Sequence, residues 1–540
     1  VTALRVTTAA QAAARDRAAI GAGIASFDLM RQAGTVAAAV ILREYGDRLA
    51  HGVALHAGSG NNGGDAYIVA AQLARSGIAV RLHAAAPPAT PDAQRAAALA
   101  TPALVHGEPT GRERVVVDGL LGTGSSGPLR EHIAAACTRV ALARDAGAVV
   151  VALDMPTGLD ATTGAIADGS VPAHATICFG TLKRGVLLQR AHAGRVWLAD
   201  IGLDGFADGD DDAWRWADVR TRRDLLPPMS WDTHKAQRGR IAIAGGDTGM
   251  AGAVVLACRG ALAAGAGVVH AVVDEPSIAA LQALVPQALA QRWPLQASSR
   301  RADTPTTPSE NRSVAGEARR FDALAIGPGL GRARHSSQLL QRLVDMHRRT
   351  PLVLDADALW IAADAAHTLG TDAASLIRHW TRDTTDVVCT PHLGEFSRLL
   401  GMPLPDDVQE RLALLSQFAV RSGATVLLKG APTFVATPDG APTWVVPHGT
   451  AMLATGGSGD LLTGIITALL GQGCPAATAA VLGATVHGLA AEHATLHLGG
   501  VRGGTLEQVL RAMPQAWQAM TAAPPLPPGV LADLPPVAHS

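Results

Sequence analysis

Twice along this chain, short apolar runs of strand length alternate with longer stretches of helical periodicity. Between about 50 and 200 the runs read GVALHA, IAVRLHAAA, RVVVDGLLG, AVVVALDMP, ATICFG and RVWLADIG. Near-continuous apolar strands separated by helix-length connections predict a parallel sheet covered by helices on both faces. A second series has the same character: GRIAIAGG, GVVHAVVD, FDALAIGPG, PLVLDADAL, TDVVCTPH and TVLLKG. At 540 residues the chain is too long for one ordinary core, so the two series predict two α/β domains. The segment DGFADGDDDAWRWADVRTRRDLLPP (204–228) is acidic, carries glycine and ends in a proline pair, which marks the boundary. The expected division is 1–212, a linker at 213–223, a second domain at 224–522, and a Pro-rich tail at 523–540 without structure. APTFVATPDG and APTWVVPHG predict a β-hairpin before a helical C-terminal third. The polar insert QASSRRADTPTTPSENRSVAGEA (296–318) is expected to be disordered, like the tail.

Composition narrows the function. With 3% aromatic and 48% hydrophobic residues, Ala, Val, Leu and Gly must fill the cores. A formal net charge of −1 excludes nucleic-acid binding carried by bulk electrostatics, and TRRD and HRRT read as solvated helix faces. The most apolar stretch, MAGAVVLACRGALAAGAGVVHAVV, is broken by Arg259 and glycines, so a buried helix leading into a strand is expected in place of a membrane span. The five cysteines are scattered without a CxxC pair, and the first twenty residues contain no apolar signal core. Together these predict buried thiols in a reducing, cytoplasmic setting.

The chemistry gathers where strands end. HAGSGNNGGDAYIVAAQLARSG contains Gly58-x-Gly60-x-x-Gly63 between a strand and a helix carrying Ile68, Val69 and Leu73 on one face. The spacing fits a dinucleotide loop, in which glycine N–H groups and a helix N-terminus meet a pyrophosphate. A structural turn fits it equally well. The acid expected about 20 residues on to hold a ribose is absent, because the next strand ends in alanines. Asn61, Asn62 and Asp65 instead supply oxygens for a cation or for a hydroxylated group. A second loop follows Asp118 as Gly122-x-Gly124-x-x-Gly127, and Asp154, Thr157 and Asp160 follow a third strand. Each aspartate alone could be a helix cap. Three such strand ends on one sheet edge point to a nucleotide pocket with acid/base or cation-holding groups.

In the second half MLATGGSGDLLTGIITALLGQG places Gly456, Gly457 and Gly459 directly before Asp460 and an apolar helix. Glycine N–H groups at a helix start form an anion hole for a transferring phosphoryl group, and a carboxylate just inside can take a proton from the attacking hydroxyl. The bland alternative is a turn with Asp460 as cap. LLKGAPT adds the cation Lys429 beside small residues. Two histidine groupings, His392 with Glu395 and His487 with Glu492 and His493, lack the HExxH spacing and read as a helix cap and as core or surface histidines. There is no Walker loop.

These motifs in this order resemble the bifunctional NAD(P)H-hydrate repair enzymes, over roughly 16–205 and 224–515. IASFDLMRQAG, GSGNNGGDA, VVDGLLGTGSSG, LDMPTGLDATTG and ICFGTLKRG are similar to the epimerase half. HKAQRGRIAIAGGDTGMAGAVVLA, AIGPGLG, LVLDADAL, TPHLGEFSRLLG, LLKGAPT and ATGGSGDLLTGII are similar to the dehydratase half. The resemblance implies a Rossmann-like three-layer α/β/α epimerase domain and a ribokinase-like α/β dehydratase domain. It implies potassium held by Asn62, Asp118 and Thr157, with Asp118 catalytic as well. Hydrated NAD(P)H would contact Asn61, Asn62, Gly63, Gly64, Asp65, Gly122, Thr123, Gly124, Ser125, Ser126, Gly127, Pro128 and Asp154. In the second domain Ala253, Gly329, His392 and Asp460 would bind the hydrate, with Asp460 catalytic. Lys429, Gly430, Ala431, Pro432, Thr433 and Gly459 would bind ADP, which brings Mg2+. Partners are then these small molecules and other copies in a homo-oligomer, with no nucleic acid and no membrane. Ala66, Thr157 and Ser458 stand where the family usually has Gly, Ser and Thr. The rivals are a small-molecule kinase with an appended domain, and a first domain that binds without catalysing.

Overall fold

The computed structural model describes residues 3–207, 212–218, 225–293, 321–522 and 525–537. The insert expected at 296–318 and the linker residues 219–223 lie outside the described residues. The chain forms two units, Val1–Thr221 with Ala522–His539, and Arg222–Thr521.

In the first unit the strands are β1 (Leu4–Thr7), β2 (Val53–Ala57), β3 (Val80–Ala84), β4 (Val115–Gly119), β5 (Val149–Leu153), β6 (Ala175–Phe179), β7 (Leu182–Lys183), β8 (Arg195–Ala199) and β9 (Trp214–Trp216). Six of them run parallel in the order β3-β2-β4-β5-β6-β8. β2, β4, β5 and β6 are buried at every position, as a sheet covered on both faces requires. The chain steps from β2 outward to β3, then returns to lay β4 on the other side of β2. The loops after β2 and β4 therefore leave the sheet in opposite directions, and this divergence is where open α/β sheets bind ligands. Glycine is obligatory at the meeting point: a Cβ on Gly58 would lie 1.9 Å from the Leu120 carbonyl oxygen.

A small side sheet pairs β1 in parallel with β7 and antiparallel with β9. β9 corrects the expectation of a linker across 213–223. Trp214 and Trp216 are buried while Arg215 between them is exposed. This is the period-2 alternation of a strand, hidden in sequence by its acidic surroundings.

The second unit holds β10 (Arg240–Ala244), β11 (Val268–Val273), β12 (Leu289–Arg292), β13 (Ala323–Ile326), β14 (Leu352–Leu354), β15 (Val387–Cys389), β16 (Thr425–Leu428), β17 (Thr433–Ala436) and β18 (Trp444–Val446), ordered β12-β11-β10-β13-β14-β15-β16-β17-β18. Pairing is parallel as far as β16, and β17 and β18 then form an antiparallel hairpin. Here the order reverses between β10 and β13. The apolar stretch near 250–273 is a buried helix, Ala251–Ala263, leading into β11. That helix lies against the helix Ser458–Gly471 so closely that a Cβ on Gly464 would sit 1.8 Å from the Ala257 carbonyl oxygen. No described helix is long and apolar enough to cross a membrane.

The tail overturns another expectation. Residues Val530–Leu534 form β19, antiparallel to β8, with a register shift between Val530 and Ala532. Val530, Ala532 and Leu534 are buried, and the Asp533 carboxylate takes a two-pronged contact from Arg195 at 2.9 and 2.7 Å. Arg195 also lies over the Trp197 ring and reaches Glu44. The flanking prolines made the tail look structureless by composition. In the fold they bound a short edge strand, a position that tolerates proline.

Leu534→Ala removes a fully buried side chain from this edge. It should destabilise the first unit by roughly 2–5 kcal/mol, seen as a lowered calorimetric transition. An unchanged transition would show that the tail is not part of that core.

Candidate active sites

In the first unit a cavity of about 760 Å³ opens at the divergence of β2 and β4. It is lined by Asn61, Asn62, Asp65, Gly122, Thr123, Gly124, Ser125 and Asp154, all expected from sequence. Ser125, Ser126, Gly127 and Pro128 line an adjoining hollow of about 180 Å³. The helix Asn61–Arg75 starts at Gly60 without a side-chain cap, so its first N–H groups face the cavity mouth uncapped. Gly63 and Gly64 depart from expectation. A Cβ on Gly63 would lie 1.9 Å from the Gly58 carbonyl oxygen, and one on Gly64 would lie 2.5 Å from the Met30 methyl. They let backbone and helices close up and are absent from the cavity lining.

Asp154 follows β5 at a φ of 62°, a left-handed conformation uncommon outside glycine. Its oxygens accept from the Lys183 ammonium, the Thr123 hydroxyl and N–H, and the Phe179 N–H. Burial alone would raise this carboxyl, but Lys183 and these hydrogen bonds hold it below its ordinary value. Lys183 is 2% exposed, and Asp154 keeps it charged in spite of that burial. Lys183 and Asp16 line the same cavity. Sequence reasoning assigned neither a role, although a lysine three residues past a glycine at a strand end was a usable signal.

Asp118 is 3% exposed and does not line the large cavity. Oδ2 accepts from the Thr157 N–H at 2.9 Å, and Oδ1 accepts from the Thr157 hydroxyl at 2.7 Å and from the Leu120 N–H at 3.2 Å. Burial raises its carboxyl against those three bonds. This position suits locking the loops or holding an ion, and it does not suit the proton chemistry expected of Asp118. Beside the same loops, Asn62 is 9% exposed and neither atom of its amide has a partner. The Thr157 hydroxyl also accepts from the Leu121 N–H at 3.1 Å, which leaves it one lone pair, and Asp118 Oδ2 keeps one as well. A buried amide oxygen with nothing to bind, beside two oxygens with spare capacity, fits a hard cation.

In the second unit Asp460 lies in the first turn of the helix Ser458–Gly471, which begins at Gly457 with a φ of 92° and no side-chain cap. Asp460 is therefore not the helix cap that the bland reading allowed. Burial, then the Asp355 charge, raises its carboxyl to about 7, with Lys429 opposing. Lys429 Nζ is 2.9 Å from Asp355 Oδ1 and 3.7 Å from Glu395, and Asp355 Oδ2 accepts from Thr463 at 2.7 Å. A Cβ on Gly459 would meet Lys429 Nζ at 3.1 Å, so the Lys429–Thr433 segment after β16 and the glycine turn form one site. Gly329 and Ala253 adjoin, since a Cβ on Gly329 would lie 3.1 Å from that of Ala253. The role of Asp355 was missed, though LVLDADAL showed an aspartate at a strand end.

His392 caps the helix Leu393–Leu400 in a reciprocal box with Glu395. His487 is buried, its imidazole pushed down to about 4, and faces the Ser458 hydroxyl at 3.5 Å. Glu492 accepts from the Gly449 N–H and pairs with His448. Among the described residues no group of three His, Cys, Asp or Glu could hold a metal ion.

A family model described as NAD(P)H-hydrate dehydratase matches residues 241–513, and one described as YjeF-related protein N-terminus matches 26–185. The bifunctional NAD(P)H-hydrate repair enzyme Nnr of Vibrio cholerae is 34% identical over 485 residues, covering 87% of this chain and 89% of that protein. Its counterpart in Escherichia coli is 33% identical over 482 residues, covering 87% and 85%. A crystal structure of the ADP/ATP-dependent NAD(P)H-hydrate dehydratase from Bacillus subtilis, co-crystallised with ATP/Mg2+, covers 56% of this chain and 97% of that chain at 26% identity and a TM-score of 0.42.

A difference titration of the free protein against Asp460→Asn should show one proton leaving near pH 7. In a Lys429→Met background that step should move upward, because the ammonium lowers the Asp460 value. A step near 3.8, the ordinary value, would remove the electrostatic account of this site.

Proposed function

The chain belongs to the bifunctional NAD(P)H-hydrate repair enzymes, and we propose that its two units divide the repair between them. The first interconverts the R and S epimers of the hydrated cofactor. The second dehydrates the S epimer at the expense of ADP, giving NAD(P)H, AMP and phosphate. The observation that carries this reading is the pairing of Asp460, raised to about 7, with the uncapped glycine turn at its helix start. A general base works best with a pKa near the operating pH.

In the second unit the Gly457 and Gly459 N–H groups and Lys429 face the phosphoryl oxygens, and Asp460 takes the proton of the substrate hydroxyl as it attacks. The hydroxyl, now a phosphate ester, becomes a good leaving group. Its departure, with loss of a proton from the neighbouring ring carbon, restores the double bond. Asp355 acts behind these groups by fixing Lys429. Gly430, Ala431, Pro432 and Thr433 would lie along the nucleotide, and Ala253, Gly329 and His392 along the hydrate. Mg2+ would arrive with the nucleotide, where it neutralises phosphate charge. Mg2+ is commonly held by substrate phosphates and one or two carboxylates.

In the first unit Asn62, Asp118 and Thr157 would hold potassium, the cation that their oxygens and the unpartnered Asn62 amide favour. It would supply positive charge beside the substrate loops. The buried free cysteines are consistent with action in the cytoplasm.

Hydrated NADH supplied with ADP, and separately with ATP, should regain the absorbance of the reduced nicotinamide. No recovery with either nucleotide overturns the dehydratase assignment, and a stable phosphorylated product without elimination would mark a kinase. Asp460→Asn should slow dehydration by about 10²–10⁴-fold while leaving nucleotide affinity and epimerisation unchanged. Epimerisation should require potassium; full activity in strictly sodium buffer overturns that site.

A further inference from the structure

The first unit's cavity sets three carboxyl groups around one ammonium. Asp16 comes from the helix Ala9–Gly21, Asp65 from the helix Asn61–Arg75, Asp154 from the end of β5, and Lys183 from β7. The four are not equivalent. Lys183 is committed to Asp154, whose oxygens are also held by Thr123 and the Phe179 N–H. Asp65 accepts no hydrogen bond among the described residues. Burial, then the charges of Asp154 and Asp16, keep its carboxyl well above the ordinary range. One cavity thus holds a carboxyl that Lys183 biases toward its anion and another that its surroundings bias toward its protonated form, the pattern that separates the two roles of a carboxyl pair. The unpartnered, nine-tenths buried amide of Asn62 on the same lining shows that this cavity is built to hold a polar species.

Resting on the epimerase assignment, we infer that inversion in this cavity proceeds by loss and return of water through a ring iminium ion, with Asp65 giving and retrieving the proton and ionised Asp154 standing as counter-charge. Hydration of a dihydropyridine enamine puts the hydroxyl on the carbon bonded to the ring nitrogen. The nitrogen lone pair forms the C=N bond as the C–O bond breaks, and the departing hydroxyl takes the Asp65 proton to leave as water. Water then adds to the opposite face, its surplus proton passes to the Asp65 carboxylate, and the electron pair returns to nitrogen. Nothing is oxidised and no co-reactant is consumed. The Asp154 carboxylate on the cavity wall carries the sign that favours a cationic intermediate. Lys183 is a positioning residue: it holds Asp154 ionised and in place at its left-handed φ. The competing route opens the ring at the C–N bond through a neutral aldehyde and keeps the original oxygen.

The test uses the full chain, no nucleotide, and the separated R epimer of hydrated NADH in H2(18)O. Each inversion should place one (18)O in the hydroxyl. Asp65→Asn should lower kcat by about 10²–10⁴-fold with KM within a few-fold, and Asp65→Glu should recover part of the loss. Lys183→Met should lower kcat more than it raises KM, and Lys183→Arg should restore part, a split that simple loss of packing would not produce. Inversion by the wild type with its oxygen retained overturns the inference alone, as does Asp65→Asn at wild-type kcat. If Asp65→Asn fails to fold, the isotope result on the wild type still decides. A wild type that never interconverts the epimers overturns the epimerase assignment and this inference with it.

Discussion

Both active sites depend on backbone lying directly against backbone. In the first unit a Cβ on Gly58 would be driven to 1.9 Å from the Leu120 carbonyl oxygen, so the loops after β2 and β4 touch only because the side chain is missing. In the second unit a Cβ on Gly327 would lie 1.8 Å from the Asp355 carbonyl oxygen, and one on Gly464 equally near that of Ala257. Such distances are far inside van der Waals contact, so any larger residue would push the loops apart. The functional consequence is positional. Asp355 follows the strand that Gly327 touches, and Asp460 starts the helix that Gly464 seats. Spacing at the chemistry is thus set by glycines whose missing side chains let backbones touch, and Gly63, expected as a substrate contact, has the same steric role.

Elements with a strong period were legible from sequence, and so were residues whose chemistry is local. Alternating apolar runs gave the parallel sheets, and the strand-end aspartates and glycine turns marked the cavity and the Asp460 cluster. What stayed hidden was set by partners distant in the chain. Composition made 523–540 look unstructured, yet β19 exists because β8, more than three hundred residues earlier in the chain, offers an edge and Arg195. β9 was lost in the same way, its alternating Trp-Arg-Trp embedded in acidic sequence. Asp118 carried the same strand-end signature as Asp154. Only the fold shows that Thr157 engages both oxygens of the first, and that Lys183 leaves the second on the cavity wall.

Each unit also sets several carboxyl groups unequally about one lysine. In the first, Lys183 is spent on Asp154, and Asp65 is left to the effect of burial. In the second, Lys429 is spent on Asp355, and Asp460 rises to about 7. The arrangement costs stability, and the sign is fixed. Between 3.8, its ordinary value, and about 7, the folded protein keeps the Asp460 proton that the unfolded chain has released. A state that binds more protons is disfavoured as pH rises, so Asp460 weakens the fold progressively across that window. Replacing Lys429 would widen the window upward, because its ammonium opposes the rise. A carboxylate placed for stability alone would have been paired or exposed. Asp460 is neither, and the lysine that could have relieved it is turned toward Asp355, so the strain falls on the group to which we assign the proton transfer.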